Sequence, residues 1–366
     1  MKTYRAAVIG CSRMGGFIDN EVVGSPKAAL PYSHAAGFTA CPRTDLIACA
    51  DLRTDVMAEF GRQYNIPPSG QYTDYRTLID QARPDIISIA TQPEQRAEIT
   101  IYAAEHGVKA IYAEKAMSAS LGEAYDMVAA LERHGVFFNL GTNRRWSVAY
   151  DQMKALVDSG ELGALKTVII YNNGTLFNTG SHYIDLVMRL NSDQPAVWAQ
   201  GNLRAKDEIF AKDDVGCDIL REDPVGEGSI YFANGVTGYL LVTPRGGDIE
   251  VICENGTLTA YNDGLEWHLR RRASKETHGH TGLVTAPFAE PPIVSSTLRL
   301  IEDLVHALDT GEPTRGGPRI SLASTELIFA LIESHRRGGA KVLLPVQERA
   351  LRLQRSRGPN QPKYTT

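Results

Sequence analysis

Between residues 5 and 140 the chain alternates short apolar runs with amphipathic stretches, and this alternation constrains the fold more than any other feature. Arg5–Ile9, Leu46–Ala50, Ile86–Ala90, Ala110–Tyr112 and Val136–Leu140 read as strands. Helices are expected between them at Thr54–Tyr64, behind Asp51, and at Gln95–His106, ending at Gly107. A third is expected at Ser120–His134, where Ser120 and Glu123 have capping-box spacing and Gly135 supplies a C-terminal stop. Strand and helix in strict turn predict an α/β domain with a parallel sheet covered on both faces.

After about residue 145 the pattern changes. A helix at Ala149–Ser159, a strand at Thr167–Asn172 and a helix at His182–Leu190 precede strand-like runs joined by Asn-Gly turns. Gly228–Phe232 leads through Asn234-Gly235 to Val236–Val242, and Ile249–Cys253 through Asn255-Gly256 to Thr257–Tyr261, which are hairpin signals. Helices at Ser296–Thr310 and Ser321–Arg337 and a strand at Lys341–Leu344 follow. The expected division is a Rossmann dinucleotide-binding domain over 1–145 and an α+β domain with a large, mostly antiparallel open sheet over 146–345. The Arg/Gln/Pro-rich segment within 346–366 reads as a loosely ordered tail.

At 366 residues the chain is long enough for two cores, and 43% apolar with 22% charged residues excludes disorder as its main state. Its net charge is −5 with no long basic run, which argues against nucleic acid as a partner. Five cysteines without ligand spacing suggest reduced thiols and a cytoplasmic setting. The apolar stretch before Cys11 is too short for a signal region, and no run has membrane-spanning length, so no membrane association is expected.

The first strand runs into Gly10-Cys11-Ser12-Arg13-Met14-Gly15-Gly16, a G-x-G-x-x-G fingerprint in which Ser12 replaces the second glycine. The second strand ends at Asp51, placed to bind a ribose 2′-hydroxyl. The gap between the two is long because Phe17–His34 looks like an insertion. Asp51 favours NAD over NADP, although Arg53 leaves NADP open. Thr91, Gln92 and Pro93 end the third strand, where a doubly wound sheet binds its ligand, and Glu114-Lys115 ends the fourth. Further on, Asn178, His182 and Asp185 fall on one helical face, and His182 would feel the positive end of the helix dipole, which favours the neutral imidazole.

Taken in order, the glycine-rich turn, Ala90-Thr91-Gln92-Pro93, Ala113-Glu114-Lys115, Gly141-Thr142-Asn143-Arg144-Arg145-Trp146 and Gly180-Ser181-His182-x-x-Asp185 resemble the Gfo/Idh/MocA oxidoreductases over residues 4–345. The resemblance implies that Lys115 sits by the nicotinamide and the substrate hydroxyl, that His182 accepts the proton, and that Asp185 binds substrate. It also brings Asn143 and Arg144 to the substrate, Arg144 and Glu114 to the cofactor, and a homodimer or homotetramer through the second sheet. Two positions depart from the family pattern: Ala116 replaces the proline after the lysine, and Asn178 replaces the aspartate before the histidine. Loss of that carboxylate should lower the pKa of Lys115, of His182, or of both.

The expected activity is oxidation of a secondary hydroxyl on a sugar, with a glycoside favoured, His182 as base and Lys115 stabilising the oxygen. Asn178 would help orient the substrate, and Tyr32 and His34 of the insertion would border the mouth of the site. The alternatives are a redox-neutral elimination or epimerisation with tightly held NAD, or a non-catalytic NAD-binding regulator. No metal is expected, His278-Gly279-His280 reading as solvated histidines. Arg270-Arg271-Arg272 reads as an exposed strand edge, and Tyr239 and Leu241 face away from the second core, which suggests subunit contact.

Overall fold

The computed structural model describes residues 2–204, 207–273 and 282–354. Its first sheet contains β1 (Tyr4–Ile9), β2 (Thr44–Ala50), β3 (Gln71–Tyr72), β4 (Ile86–Ile89), β5 (Ala110–Ala113) and β6 (Phe137–Leu140) in the order β3-β2-β1-β4-β5-β6, with every pair parallel. The chain leaves β1 toward β2 on one side and returns to β4 on the other. That reversal opens a crevice at the strands' carboxyl ends, the place where such sheets bind ligands.

The helices of this domain are α1 (Arg13–Gly16), α2 (Asp19–Val22), α3 (His34–Ala40), α4 (Thr54–Gln63), α5 (Tyr75–Ala82), α6 (Pro93–Glu105) and α7 (Leu121–His134). α7 carries the expected capping box between Ser120 and Glu123 and ends on left-handed Gly135. The sequence reading missed α3, α5 and β3. α5 is capped by Asp74 and ends at Arg83, a left-handed position where glycine would have given a clearer signal.

The second domain contains α8 (Val148–Asp158), β7 (Leu165–Asn172), α9 (Ser181–Leu190), β8 (Ala196–Leu203), β9 (Phe210–Lys212), β10 (Asp218–Leu220), β11 (Gly226–Phe232), β12 (Thr237–Val242), β13 (Asp248–Cys253), β14 (Gly256–Tyr261), β15 (Glu266–Arg272) and β16 (Leu283–Ala286). The chain continues with α10 (Ser296–Thr310), α11 (Pro318–Arg336), β17 (Val342–Leu343) and β18 (Arg352–Leu353). Nine strands form one sheet in the order β16-β15-β14-β13-β7-β12-β11-β8-β17, antiparallel except where β12 lies parallel to β7. Its inner residues, among them Val168, Ile170, Leu240, Val251 and Leu258, bury against α9 and α11. On the other face Tyr239 and Leu241 are exposed, as their alternation predicts, and Trp198 stacks on Tyr231.

Two boundaries differ from expectation. α10 forms over the expected residues but packs on the first domain, where Leu300, Ile301, Leu304 and Val305 join Phe17, Phe38 and Tyr112 in one core. The tail does not begin at 346: Val346, Leu351 and Leu353 are buried, and β18 pairs in parallel with β10. Three apolar side chains in an Arg-rich stretch were sufficient to anchor it. His278 and His280 lie outside the described residues.

Candidate active site

On the cofactor side the backbone does most of the positioning. Gly10 has φ +94°, and a Cβ there would meet the Ala90 carbonyl carbon at 2.9 Å. A Cβ on Gly15 would lie 1.9 Å from the Gly10 carbonyl oxygen, so α1 can rest on the turn only as glycine. Ser12 sits at the N-cap of α1 without capping it, Met14 is half-buried, and exposed Arg13 pairs with Glu21. Asp51 Oδ2 accepts from the Cys11 N–H at 2.8 Å and Oδ1 from the Arg53 N–H at 2.9 Å. These bonds fix the carboxylate beside the turn and leave acceptor capacity for a ribose. Arg53 is paired with Asp55 at 2.8 Å. Thr91 is half-buried and Gln92 exposed at the carboxyl edge, while Pro93 is buried in the first turn of α6. A glycine turn backed by a fixed acid fits a dinucleotide.

Glu114 and Lys115 follow β5. Glu114 is buried, with Oε1 on His34 Nε2 at 3.2 Å and Oε2 accepting from the Lys115 N–H at 3.2 Å. Burial alone would raise its pKa, but the His34 bond and the charges of Lys115 and Arg96 hold it below the usual carboxylate value. His34 is fully buried and stacked on Tyr112, so it supports Glu114 from behind instead of bordering the mouth, which corrects the expectation from sequence. Its position opening α3, in a helix the sequence reading missed, is the reason. Arg96 of α6 donates to the carbonyls of Ala116 and Thr91 and ties the ends of β5 and β4 together.

The next group comes from the second domain. Asn178 lies in a wide helical turn, Leu176–Gly180, immediately before α9, and its Oδ1 accepts from Lys115 Nζ at 2.5 Å. His182 is in the first turn of α9. Burial, then the charges of Arg144 and Lys115, push its imidazole well below the ordinary value, and its Nδ1 has no hydrogen-bond partner among the described residues. Burial also lowers Lys115, against Glu114 and Asp223, which raise it. Both shifts have the direction expected from the Asn178 departure, but burial is their largest cause.

Asp185 does not join this group. Both its oxygens accept from Arg145 Nε at 3.0 Å, and Arg145 also grips Asp193 at 2.8 Å. Arg145 is fully buried and Asp185 nearly so. Asp185 is therefore half of an internal ion pair and not a substrate ligand. The wide turn places Asn178 outside α9, so the single helical face expected for Asn178, His182 and Asp185 does not form.

Arg144 is also committed. Its Nε and Nη2 donate to the two oxygens of Asp263, at 2.8 and 2.5 Å, and its guanidinium lies 4.3 Å from the Tyr183 ring centre. Burial works to lower the Arg144 pKa, but Asp263, together with Tyr183 and Tyr150, raises it. A cofactor role for Arg144 does not fit this bidentate clamp. Half-buried Tyr32 lies beside this pair and Asn143: burial, outweighing Arg144, raises its phenol. Asn143 Oδ1 has no hydrogen-bond partner among the described residues. Sequence reasoning missed Asp263, Asp223 and Arg96. Asp263 sits at a left-handed turn after β14, and no local pattern marks it as Arg144's partner.

Comparison with known proteins agrees with this geometry. Residues 4–142 match the model of an oxidoreductase family with an NAD-binding Rossmann fold. The chain is 30% identical to the uncharacterized oxidoreductase YrbE of Bacillus subtilis over 132 residues, 36% of this chain but only 37% of that protein's length. It is 24% identical to the D-apiose dehydrogenase of Paraburkholderia graminis, over 92% of this chain and 89% of that protein. The solved complex of levoglucosan dehydrogenase with NADH and levoglucosan has the same fold, with a TM-score of 0.72 at 17% identity over 94% of this chain and all of that one. Over residues 4–142 the chain is similar to the NAD-binding Rossmann domain of the Gfo/Idh/MocA oxidoreductase family.

Proposed function

We propose that the protein oxidises a secondary hydroxyl of a sugar, and specifically of a glycoside, with NAD. The observation that carries this reading is the hydrogen bond from Lys115 Nζ, just past the carboxyl end of β5, to Asn178 in the turn that leads into α9 and His182. His182 would accept the hydroxyl proton, and its depressed pKa keeps it in the accepting form at neutral pH. Lys115, steered by Asn178, would donate a hydrogen bond to the same oxygen as negative charge develops there. The turn at Gly10–Gly15, Asp51 and the Thr91-Gln92 edge would hold the NAD, which would supply a hydride acceptor for the reaction.

The substrate reading rests on the far side of the site. Asp263 neutralises Arg144, so this guanidinium does not call for an anionic substrate. Tyr32, Asn143 and Asn178 offer uncharged polar groups of the kind a polyol needs. The relatives act, by their names, on apiose and levoglucosan, which supports a sugar. Tyr32 at the edge of this group supports a bulky one, since an aromatic face packs well on a sugar ring.

The test is nicotinamide absorbance near 340 nm with NAD and a panel of free sugars and glycosides. Turnover only with added NAD and best with glycosides is expected. A stoichiometric signal without added NAD would favour the redox-neutral reading, and silence with every sugar would overturn the substrate class. Tyr32→Ala should lower kcat/KM for glycosides more than for small sugars.

We further propose that copies associate through the outer face of the large sheet, where Tyr239, Leu241 and Leu343 are exposed. Tyr239→Glu should shift the mass measured by light scattering toward the monomer. A cytoplasmic location fits five free cysteines, four of them buried, and no helix among the described residues is long and apolar enough to cross a membrane.

A further inference from the structure

The amide of Asn178 brings no charge to Lys115, yet a carboxylate stands directly behind it. Asp223, in the loop between β10 and β11, accepts three hydrogen bonds from the turn that carries Asn178. Its Oδ1 takes the Phe177 N–H at 2.9 Å, while its Oδ2 takes the Asn178 N–H at 2.9 Å and the Thr175 hydroxyl at 2.6 Å. The same loop is stitched to the turn by the Leu176 N–H on the Pro224 carbonyl at 2.8 Å and by a bridge between Thr175 and Val225. Thr175, at the N-cap, makes no side-chain cap of its own, and Asp223 caps the turn from a distant segment.

We propose that Asp223 is a positioning residue for Lys115: it presents the Asn178 amide to the ammonium and supplies, one residue further back, the negative charge that the amide lacks. The charges acting on Lys115 are Glu114 and Asp223 on one side of the balance and Arg96 and Arg13 on the other, and Lys115 in turn acts on His182. Removing Asp223 tips the balance toward the cations, which disfavours the protonated amine. The inference rests on the reading of Lys115 as the group that meets the substrate oxygen.

The test therefore has a readout besides activity. In the full chain carrying ε-13C-labelled lysine, the Lys115 resonance, identified by its loss in Lys115→Met, is titrated in the wild type, Asp223→Asn, Asp223→Ser and Asp223→Asn combined with Asn178→Asp. Both single Asp223 variants should lower the Lys115 pKa by about one unit. Asn retains a capping oxygen and so does Ser, so a folding failure in one leaves the other to decide. The double variant restores charge beside Lys115 without restoring the original cap, and should bring the pKa back, with kcat following. An unchanged titration in the Asp223 variants overturns the proposal. A lowered pKa that Asn178→Asp does not restore assigns Asp223 to capping alone and overturns it too. If Lys115→Met retained full activity, the reading of Lys115 would fail while the measured coupling to Asp223 stood.

Discussion

The cofactor side and the substrate side of the cleft are built by different means. The first is made of backbone: a glycine turn, the ends of four neighbouring parallel strands and an acid held by N–H groups two residues or one strand away. The second is made of side chains gathered from distant segments: Tyr32, Lys115, Asn143, Arg144, Asn178, His182, Asp223 and Asp263. Arg144 and Asp263 are separated by 119 residues and Asn178 and Asp223 by 45. A backbone-built surface leaves a local sequence signature, and a surface built by long-range pairing does not. The two should also fail differently when perturbed, the first through sterics and the second through charge.

The largest expected effect is on the substrate side. His182→Ala removes the proposed base, and kcat should fall about 10³-fold with NAD affinity unchanged. Steady-state kinetics paired with calorimetric titration of NAD checks this, and full activity in the variant would remove His182 from the mechanism. Arg145→Met comes next. It strands Asp185 and Asp193 beside a buried apolar side chain and should cost about 3 kcal/mol of stability, read by denaturant unfolding. A small loss there would mean that the ion pair is dispensable and that the contrast between the two sides is weaker than drawn.

On the cofactor side, Gly15→Ala adds only a methyl group, but one that must displace the Gly10 carbonyl. About 2 kcal/mol of destabilisation and weaker NAD binding are expected. The measurement is melting temperature with and without NAD. If the variant bound NAD normally, the close approach of α1 to the turn would not be what forms the site.

The same contrast explains which parts of the protein were legible in sequence. Strands β1, β2, β4, β5 and β6, the α7 capping box and Gly135 were readable because each depends on residues within a few positions of one another. Gly10, Gly15 and Asp51 were readable for the same reason. His34 was misjudged because its fate depends on Glu114 and Tyr112, which lie about eighty residues away. Asp185 was misjudged because a helical repeat places it near His182, while Arg145 claims it from another segment. α10 was found with its ends correct, yet assigned to the wrong domain, because apolar spacing reports a buried face and not what buries it. The value of Asn178 could not be judged without Asp223.

The smallest expected effect sharpens the electrostatic half of the comparison. His182 is held neutral in the folded protein, with a pKa well below its ordinary value, whereas in the unfolded chain it titrates near 6.5. Above about pH 7 both states carry the neutral ring, and the group contributes no pH dependence. Below about 6.5 the unfolded chain takes up a proton that the folded protein refuses, so stability falls with falling pH until the folded pKa is reached. His182→Gln cannot titrate and should escape this loss. Relative to the variant, the wild type should therefore lose stability between about pH 7 and pH 5, and chemical unfolding at both values measures the difference. Parallel pH dependence in the two proteins would mean that His182 protonates in the native state much as it does in water. The substrate side would then lack the desolvated histidine on which the proposed chemistry depends.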